Sequence, residues 1–229
     1  MFSFSPKRIT AIVVVLAVIV IGVFVVVNFD KKDRDTVPTT IPAKIGPTYS
    51  ILGTSVEGRK IEAYTYVPTQ GGKGNKHLVF VGGIHGGYEW NSVVLAYKFK
   101  DYLDENPQAI PANLKVTVIP SANTDGLFRV TNKEGRFTAS DVSTNKTVLA
   151  SGRFNARDVD LNRNFDCDWQ TNATWQNKTV SGGDSVFSEP ESLAIKNYIE
   201  TNKPSAVVVW YSSAGGVYSS SCHNGVSPE

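Results

Sequence analysis

His85 and Glu89 are the two residues whose types and spacing best suit metal chemistry in this sequence. They lie in the stretch Val81–Asn91, VGGIHGGYEWN, which continues the apolar run Leu78–Val81. An apolar run, paired glycines and then an amphipathic segment predict a strand, a tight turn and a helix start. Imidazole nitrogen and carboxylate oxygen are both zinc ligands, and open α/β sheets bind ligands at the carboxyl ends of their strands. The stretch therefore predicts a metal site. The alternative is a histidine beside the core and a glutamate that favours the helix dipole.

The elements that must position this turn alternate between strands and helices. Beta-rich and apolar runs predict further strands at Tyr49–Val56, Lys60–Val67, Leu114–Ile119 and Ala206–Trp210. Apolar residues at helical spacing predict one helix over Glu89–Glu105 and a second that ends at Asn202. This alternation predicts an α/β fold with a mixed sheet flanked by helices. The polar stretch from Phe128 to Asp158 is predicted to be an irregular loop, and His77 a surface residue.

Several further motifs occur in a fixed order along the chain. They are GTSVEGR at Gly53–Arg59, NTDG at Asn123–Gly126, Arg153 with DVDLNRNFD at Asp158–Asp166, and SEPE at Ser188–Glu191. Together with the His85–Glu89 stretch, they resemble the zinc carboxypeptidase family (M14), nearest its bacterial members. The resemblance runs from about Tyr49 to the end of the chain. Each motif alone is a weak signal, whereas the ordered set is specific.

The resemblance implies a catalytic zinc ion, Zn²⁺, which takes three protein ligands and keeps one position for water. His85 and Glu89 match two of the ligands, and Asp160 matches the carboxylate that orients a ligand imidazole. The family has two residues between this histidine and glutamate, whereas this chain has three. A helical segment accommodates the extra residue, because side chains four residues apart share one face. Otherwise the turn must bulge to bring Glu89 back.

The third ligand of the family is normally a histidine followed by serine, after a late strand. In this chain we place that position at Tyr211. A phenol is a poor zinc ligand at neutral pH, because its ordinary pKa is about 10. His223 replaces it only if the chain folds back toward the site. We therefore expect weak or no stoichiometric zinc binding.

The resemblance also implies substrate contacts. Asn162 and Arg163 match the pair that grips the terminal carboxylate of the substrate, which a guanidinium fork binds through two hydrogen bonds. Arg153 matches the arginine that polarises the scissile carbonyl and stabilises the oxyanion. The alternative is that Arg153 and Arg163 are surface arginines near the acidic residues of DVDLNRNFD.

These roles imply a zinc metallocarboxypeptidase that hydrolyses the C-terminal amide bond of a peptide or peptidoglycan-stem substrate with a free carboxylate. One alternative is an inactive or truncated pseudo-enzyme that binds peptide carboxylates. Another is an amidohydrolase of cell-wall peptides. The general base and the capping tyrosine of the family lie well beyond the third ligand, past Glu229. The domain over residues 49–229 is therefore expected to be partial.

The N-terminal segment predicts membrane anchoring. Residues 9–29 carry no charge and are long enough to span a bilayer as one transmembrane helix. Lys7 and Arg8 precede them, so the positive-inside rule places residues 1–8 in the cytoplasm and the domain outside. The alternative is a cleaved signal peptide. Residues 30–48, rich in Pro and Thr, predict an extended tether.

Charge and cysteine content narrow the partners and the compartment. Residues 30–229 hold 21 basic and 21 acidic residues, and this neutrality argues against a nucleic-acid partner. Cys167 and Cys222 are the two cysteines of the chain. In an extracytoplasmic domain they are candidates for one disulfide, whereas the alternative is two separate thiols.

Overall fold

The computed structural model describes residues 46–68, 74–212, 215–219 and 222. The predicted cytoplasmic N-terminus, the transmembrane segment 9–29 and most of the tether lie outside these residues, as does His223. Within the part of the chain that is described, no helix combines the length and the apolar character needed to cross a bilayer.

The fold is a mixed α/β architecture. The strands are β1 (Thr48–Thr54), β2 (Lys60–Tyr66), β3 (Lys76–Val81), β4 (Leu114–Ile119), β5 (Asn172–Trp175), β6 (Lys178–Ser181) and β7 (Ala206–Val209). The α-helices are α1 (Trp90–Glu105), α2 (Thr124–Thr131), α3 (Lys146–Ser151) and α4 (Pro190–Asn202). Short 3₁₀ turns cover Gly86–Glu89, Pro107–Ala109, Ala139–Asp141 and Leu161–Arg163.

Five strands form the main sheet in the order β1-β2-β4-β3-β7. β1 pairs with β2 and β2 with β4 in antiparallel fashion, whereas β3 runs parallel to both β4 and β7. β5 and β6 form a separate hairpin. The mixed sheet and its helices confirm the α/β architecture predicted from the sequence, whereas the β5–β6 hairpin was not predicted. The parallel strands β4, β3 and β7 end at one edge of the sheet, where ligand sites of such folds lie.

Apolar side chains cover both faces of the sheet. On one face the core includes Ile61, Val79, Val81, Ile119, Leu161 and Ile195. On the other it includes Tyr66, Ala96, Leu103, Ile110, Val116 and Val118. Successive residues of β4 alternate between these two clusters, because side chains of a strand point to opposite faces. Helix α4 therefore packs on one face and α1 on the other.

Two predictions from the sequence are wrong. The stretch from Phe128 to Asp158 contains the second half of α2 and all of α3, rather than an irregular loop. Helix α2 begins within the polar motif NTDG, because the Asn123 side chain caps it by accepting a hydrogen bond from the Gly126 amide at 2.8 Å. His77 is 5% exposed instead of lying on the surface. Its Nε2 lies 2.8 Å from Thr117 Oγ1, so burial on β3 is matched by a polar partner.

Cys167 and Cys222 are joined as a disulfide. The bond links the residues that follow Arg163 to the segment that follows β7.

Candidate metal and carboxylate site

The turn after β3 is built on glycines because other parts of the chain approach its backbone closely. A Cβ at Gly87 would lie 2.4 Å from Val130 Cβ, and one at Gly86 would lie 2.6 Å from the Gly152 carbonyl oxygen. Gly86 also has a φ of +45°, which side-chain-bearing residues rarely adopt. The glycines therefore let α2 and α3 pack directly against the turn that carries His85.

His85 and Glu89 come together in spite of the extra residue between them. The 3₁₀ turn Gly86–Glu89 brings Glu89 Oε1 to 3.0 Å from His85 Nδ1. Both side chains are buried, at 5% and 7% exposure. The contact lacks hydrogen-bond geometry, and neither ring nitrogen of His85 has a hydrogen-bond partner among the described residues. Buried polar atoms without partners are rare, and here they point to a ligand held between the two side chains.

Asp160 lies on the other side of the His85 ring. Its Oδ1 is 3.8 Å from His85 Nε2, and its Oδ2 accepts a hydrogen bond from Arg153 Nε at 2.8 Å. Asp160 is fully buried and Arg153 is 4% exposed. The 3.8 Å separation is longer than a hydrogen bond. Asp160 therefore lies where a carboxylate can orient the imidazole, while it neutralises a buried guanidinium.

The Glu89 carboxylate is stabilised in its ionised form. Burial by itself would raise the pKa of Glu89. The contact with His85, the Ser212 amide and the charge of Arg153 act against burial and together lower this pKa. The Ser212 N–H donates to Glu89 Oε2 at 3.1 Å. An ionised carboxylate is the form in which Glu binds a metal.

Asn162 and Arg163 follow Asp160 on the 3₁₀ turn Leu161–Arg163. Asn162 Oδ1 accepts a hydrogen bond from the Tyr211 hydroxyl at 2.8 Å. Arg163 is exposed, and its Nη2 donates to the Thr174 carbonyl at 3.3 Å. Both residues line a polar cavity of about 370 Å³, together with residues of the Cys167–Gln170 and Ala173–Thr174 segments. A polar cavity with a guanidinium and an amide on its wall suits a carboxylate ligand.

The end of β7 presents Tyr211 and Ser212 to the site. The Tyr211 ring lies 5.2 Å from the His85 ring, centroid to centroid, while its hydroxyl contacts Asn162. Burial of the phenol, with the negative charges of Glu89 and Asp160, raises the pKa of Tyr211 to about 12. The phenol is therefore protonated at neutral pH. The assignment of Tyr211 to the third-ligand position remains a prediction. The Ser212 amide contacts Glu89, whereas its hydroxyl contacts Asn91.

The described residues supply two of the three protein ligands that a catalytic zinc site requires. The partnerless nitrogens of His85 beside the Glu89 carboxylate are suited to a zinc ion. In the described part of the chain, no histidine, cysteine or further carboxylate lies beside this pair as a third ligand. One group of three such residues gathers elsewhere, Cys167, Asp168 and Cys222, and its two cysteines are bonded to each other. Two protein ligands are too few for a tight zinc site.

Sequence reasoning missed an aromatic wall beside Arg153. The Arg153 guanidinium carbon lies 4.6 Å from the centre of the Trp175 ring, and Trp175 contacts Tyr88 at 5.1 Å and Phe154 at 5.9 Å. Tyr88 lies between His85 and Glu89 in the sequence, so its position near the site could have been predicted from that spacing. Trp175 carries no such signal, because the hairpin that bears it returns to the site only in the folded chain.

Comparison with known proteins places this geometry in a family. A family model described as zinc carboxypeptidase, peptidase family M14, matches residues 45–225. Bovine thrombin-activatable fibrinolysis inhibitor, solved with a tick carboxypeptidase inhibitor, is 17% identical over 72% of this chain and 53% of that chain, with a TM-score of 0.51. Another structure of thrombin-activatable fibrinolysis inhibitor is 18% identical over 72% and 41%, with a TM-score of 0.56. Carboxypeptidase A from Helicoverpa armigera is 26% identical over 72% and 40%, with a TM-score of 0.50.

The chain therefore spans between 40% and 53% of the length of these three solved structures. A search of curated proteins found no match to it. The family model covers more than half of the chain, and the solved structures share its fold. This chain belongs to the zinc carboxypeptidase family.

Proposed function

We propose that this protein recognises the C-terminal residue of a peptide through its free carboxylate. The observation that carries the proposal is the cavity of about 370 Å³ whose wall includes Asn162 and Arg163. Tyr211 links this wall to the candidate metal site, since its hydroxyl contacts Asn162 and its ring lies 5.2 Å from the His85 ring. We expect a peptide whose carboxylate enters this cavity to direct its last amide bond toward His85 and Glu89.

The hydrogen bonds of Asn162 and Arg163 support a role in binding an anion. The Tyr211 hydroxyl donates to Asn162 Oδ1, which fixes the side-chain amide so that its Nδ2–H groups remain as donors. Arg163 uses Nη2 on the Thr174 carbonyl, and its remaining N–H groups make no other hydrogen bond within the described residues. An oriented guanidinium beside an oriented amide donor matches the two oxygens of a carboxylate.

Arg153 supports recognition of the carbonyl that precedes the terminal residue. Its Nε is held by Asp160, and its guanidinium lies over Trp175. The terminal N–H groups are therefore fixed in direction by a buried ion pair and an aromatic ring. A fixed donor of this kind stabilises negative charge on a carbonyl oxygen better than a mobile one, because it does not reorganise.

Hydrolysis of the C-terminal amide bond is the second candidate function. The His85–Glu89 pair, with its partnerless ring nitrogens, favours it. A bound zinc ion supplies Lewis acidity and a nucleophilic water in such sites. The described residues lack the third ligand for that ion, so binding is the function that the geometry supports best.

A titration with matched peptides tests the proposal. The purified full-length chain is titrated with acetyl-Ala-Phe and acetyl-Lys-D-Ala-D-Ala, which imitates a peptidoglycan stem, and with the C-terminal amide of each. We expect saturable binding of the free acids, at least about tenfold weaker binding of the amides, and a similar loss in R163A. R157A is the control, because Arg157 is an exposed arginine of the same segment that lies away from this cavity. Equal binding of acid and amide contradicts the proposal.

The same samples separate binding from hydrolysis. They are incubated in zinc-containing buffer and assayed for release of the C-terminal amino acid. Release that disappears in both H85A and E89A establishes the carboxypeptidase reaction. Binding without release leaves recognition as the function.

We also propose that residues 9–29 anchor the protein in a membrane with the domain on the extracytoplasmic side. The uncharged segment and the preceding Lys7 and Arg8 support this orientation. Protease added to intact cells or spheroplasts should then digest the domain. Digestion that occurs only after lysis contradicts the orientation.

A further inference from the structure

Two of the sequence motifs, GTSVEGR at Gly53–Arg59 and NTDG at Asn123–Gly126, supply none of the candidate metal or carboxylate-binding residues of the site described above. They meet each other around Asp125, which is 3% exposed. Ser55 Oγ donates to Asp125 Oδ1 at 2.5 Å, and Arg59 Nη1 donates to the same oxygen at 2.7 Å. The Glu57 amide donates to Asp125 Oδ2 at 3.1 Å. The two motifs thus form one polar unit in which the guanidinium of Arg59 has a fixed position.

This unit forms part of the wall of a second cavity, of about 230 Å³, at the carboxyl end of β4. The Arg59 guanidinium lies over the Phe128 ring, with its carbon 3.9 Å from the ring centre. The Arg59 side chain is 13% exposed and contributes to the cavity wall. Ser121 and Thr124 line the cavity from the β4–α2 connection, and the apolar side chains of Tyr97 and Leu127 complete it.

Partnerless polar atoms concentrate in this cavity. The described residues contain six buried side-chain nitrogen or oxygen atoms without a hydrogen-bond partner. Two belong to His85 in the candidate metal site, and three line this cavity: Arg59 Nε, Ser121 Oγ and Thr124 Oγ1. Ser121 is 5% exposed. Leaving such groups unpaired is unfavourable, so their concentration in one cavity points to a polar occupant.

The charges of the wall restrict what that occupant is. Arg59 and Lys60 are cationic, and Glu62 and Glu134 are anionic. Glu134 Oε1 lies 3.7 Å from Arg59 Nε, close enough for attraction and too far for a hydrogen bond. A wall with two charges of each sign favours a ligand that itself carries both signs over a net anion or cation. The hydroxyls of Ser121 and Thr124 serve as either donor or acceptor.

We propose that this cavity binds a small zwitterion of the α-amino acid class. The ligand carboxylate contacts Arg59 Nε and the hydroxyls of Ser121 and Thr124. The ligand ammonium contacts the carboxylates of Glu62 and Glu134. Arg59 Nη1 already contacts the carboxylates of Asp125 and Glu57, so the Nε edge of the guanidinium is the edge that remains for the ligand. This proposal stands independently of peptide binding at Asn162 and Arg163.

Thermal unfolding of the full-length chain in the presence of free amino acids tests it. Glycine, L-alanine and L-serine are the probes, and N-acetyl-L-alanine and L-alaninamide are the matched compounds that lack the ammonium or the carboxylate charge. We expect a saturable rise in the unfolding midpoint with at least one free amino acid. The two blocked compounds should act at least about tenfold more weakly.

Variants connect that response to the cavity. S121A and T124V each remove a hydroxyl that has no protein partner, so both should fold normally and lose the response at least about tenfold. T131V is the control, because Thr131 is a buried threonine of the same helix α2 whose hydroxyl donates to the Leu127 carbonyl at 2.9 Å. It should be less stable yet keep the response. An unchanged midpoint with all three amino acids shows that the cavity holds water only and overturns the proposal. An equal response in S121A and T124V overturns it as well.

Discussion

Strands β3 and β7 run parallel and adjacent, and each ends at the candidate site, yet their surroundings differ. Val79 and Val81 of β3 are fully buried, because β3 lies between β4 and β7 and is covered on both faces. Val207 and Val208 of β7 are 36% and 38% exposed, and in the described part of the chain β7 pairs with β3 alone. The residues that follow the two strands differ in burial as well.

The turn after β3 carries a pair suited to metal binding, whereas the described residues directly after β7 carry no such pair. His85 and Glu89 are buried, 3.0 Å apart, and supported by glycines that let α2 and α3 pack against them. Tyr211 is 39% exposed and directs its hydroxyl to Asn162, and Ser212 offers an amide to Glu89. The comparison shows that the central strand leads into two buried candidate ligands, while the strand beside it leads, within the described residues, to Tyr211, whose phenol is a poor zinc ligand.

The largest expected effect comes from the buried ion pair behind His85. D160A leaves the Arg153 guanidinium buried without its partner, so we expect a loss of about 3–5 kcal/mol in the free energy of unfolding. Denaturant unfolding measures it. D158N is the control, because Asp158 lies in the same motif with its side chain 82% exposed and a φ of +57° that Asn also adopts, and it should change stability by less than about 0.5 kcal/mol. Equal losses in the two variants would show that the buried ion pair of Asp160 and Arg153 does not stabilise the fold as proposed.

The stability of the protein in acid tests whether His77, near the start of β3, is buried. Burial first, and then the charge of Lys115, lowers the pKa of His77 to about 4. The folded pKa lies below the unfolded value of about 6.5, so the unfolded state binds the extra proton. The contribution is complete above pH 6.5 and is lost as pH falls toward 4, by roughly 2–3 kcal/mol. Denaturant unfolding between pH 7 and 4 should show this loss in the unmodified chain and a smaller one in H77Q. Parallel pH profiles would contradict it.

A matched pair of valines compares the two strands directly. V79A removes two methyl groups from the fully buried core, and we expect it to cost about 2 kcal/mol. V208A removes the same groups from β7, where the side chain is partly exposed, and should cost less than about 1 kcal/mol. Chemical denaturation of both variants measures the difference. A cost at Val208 equal to that at Val79 would mean that β7 is covered in solution.

The smallest expected effect is the gain from adding a ligand at the end of β7. The Tyr211 ring lies 5.2 Å from the His85 ring, whereas the Ser212 hydroxyl contacts Asn91. We therefore expect Y211H to bind zinc at least about tenfold more tightly than the unmodified chain, and S212H to gain less. Competition with a chelator and elemental analysis measure both. A larger gain in S212H would assign the third position to residue 212. A full zinc equivalent in the unmodified chain, lost in H223A, would assign it to His223.

Sequence patterns identified most of the sheet and the turn that carries His85. Those features are local, since the alternation along a strand, the paired glycines and the helix that follows are all encoded within a few residues. For the stretch from Phe128 to Asp158, the same local patterns gave a wrong prediction, an irregular loop. Its short helices α2 and α3 are polar on much of their surface, and they are stabilised by a capping asparagine and by packing against the turn.

By itself the sequence determined which chemical groups the site contains: an imidazole, a carboxylate, two arginines and an asparagine in a recognisable order. Tertiary structure decided what those groups contact. The amide of Ser212 reaches Glu89 across 123 positions of the chain, and Trp175 covers Arg153 from a separate hairpin. The cavity of Arg59, Ser121 and Thr124 likewise joins two distant motifs. Contacts between distant segments depend on how strands are ordered in the sheet and how helices pack on it, and no local spacing in the sequence records that order.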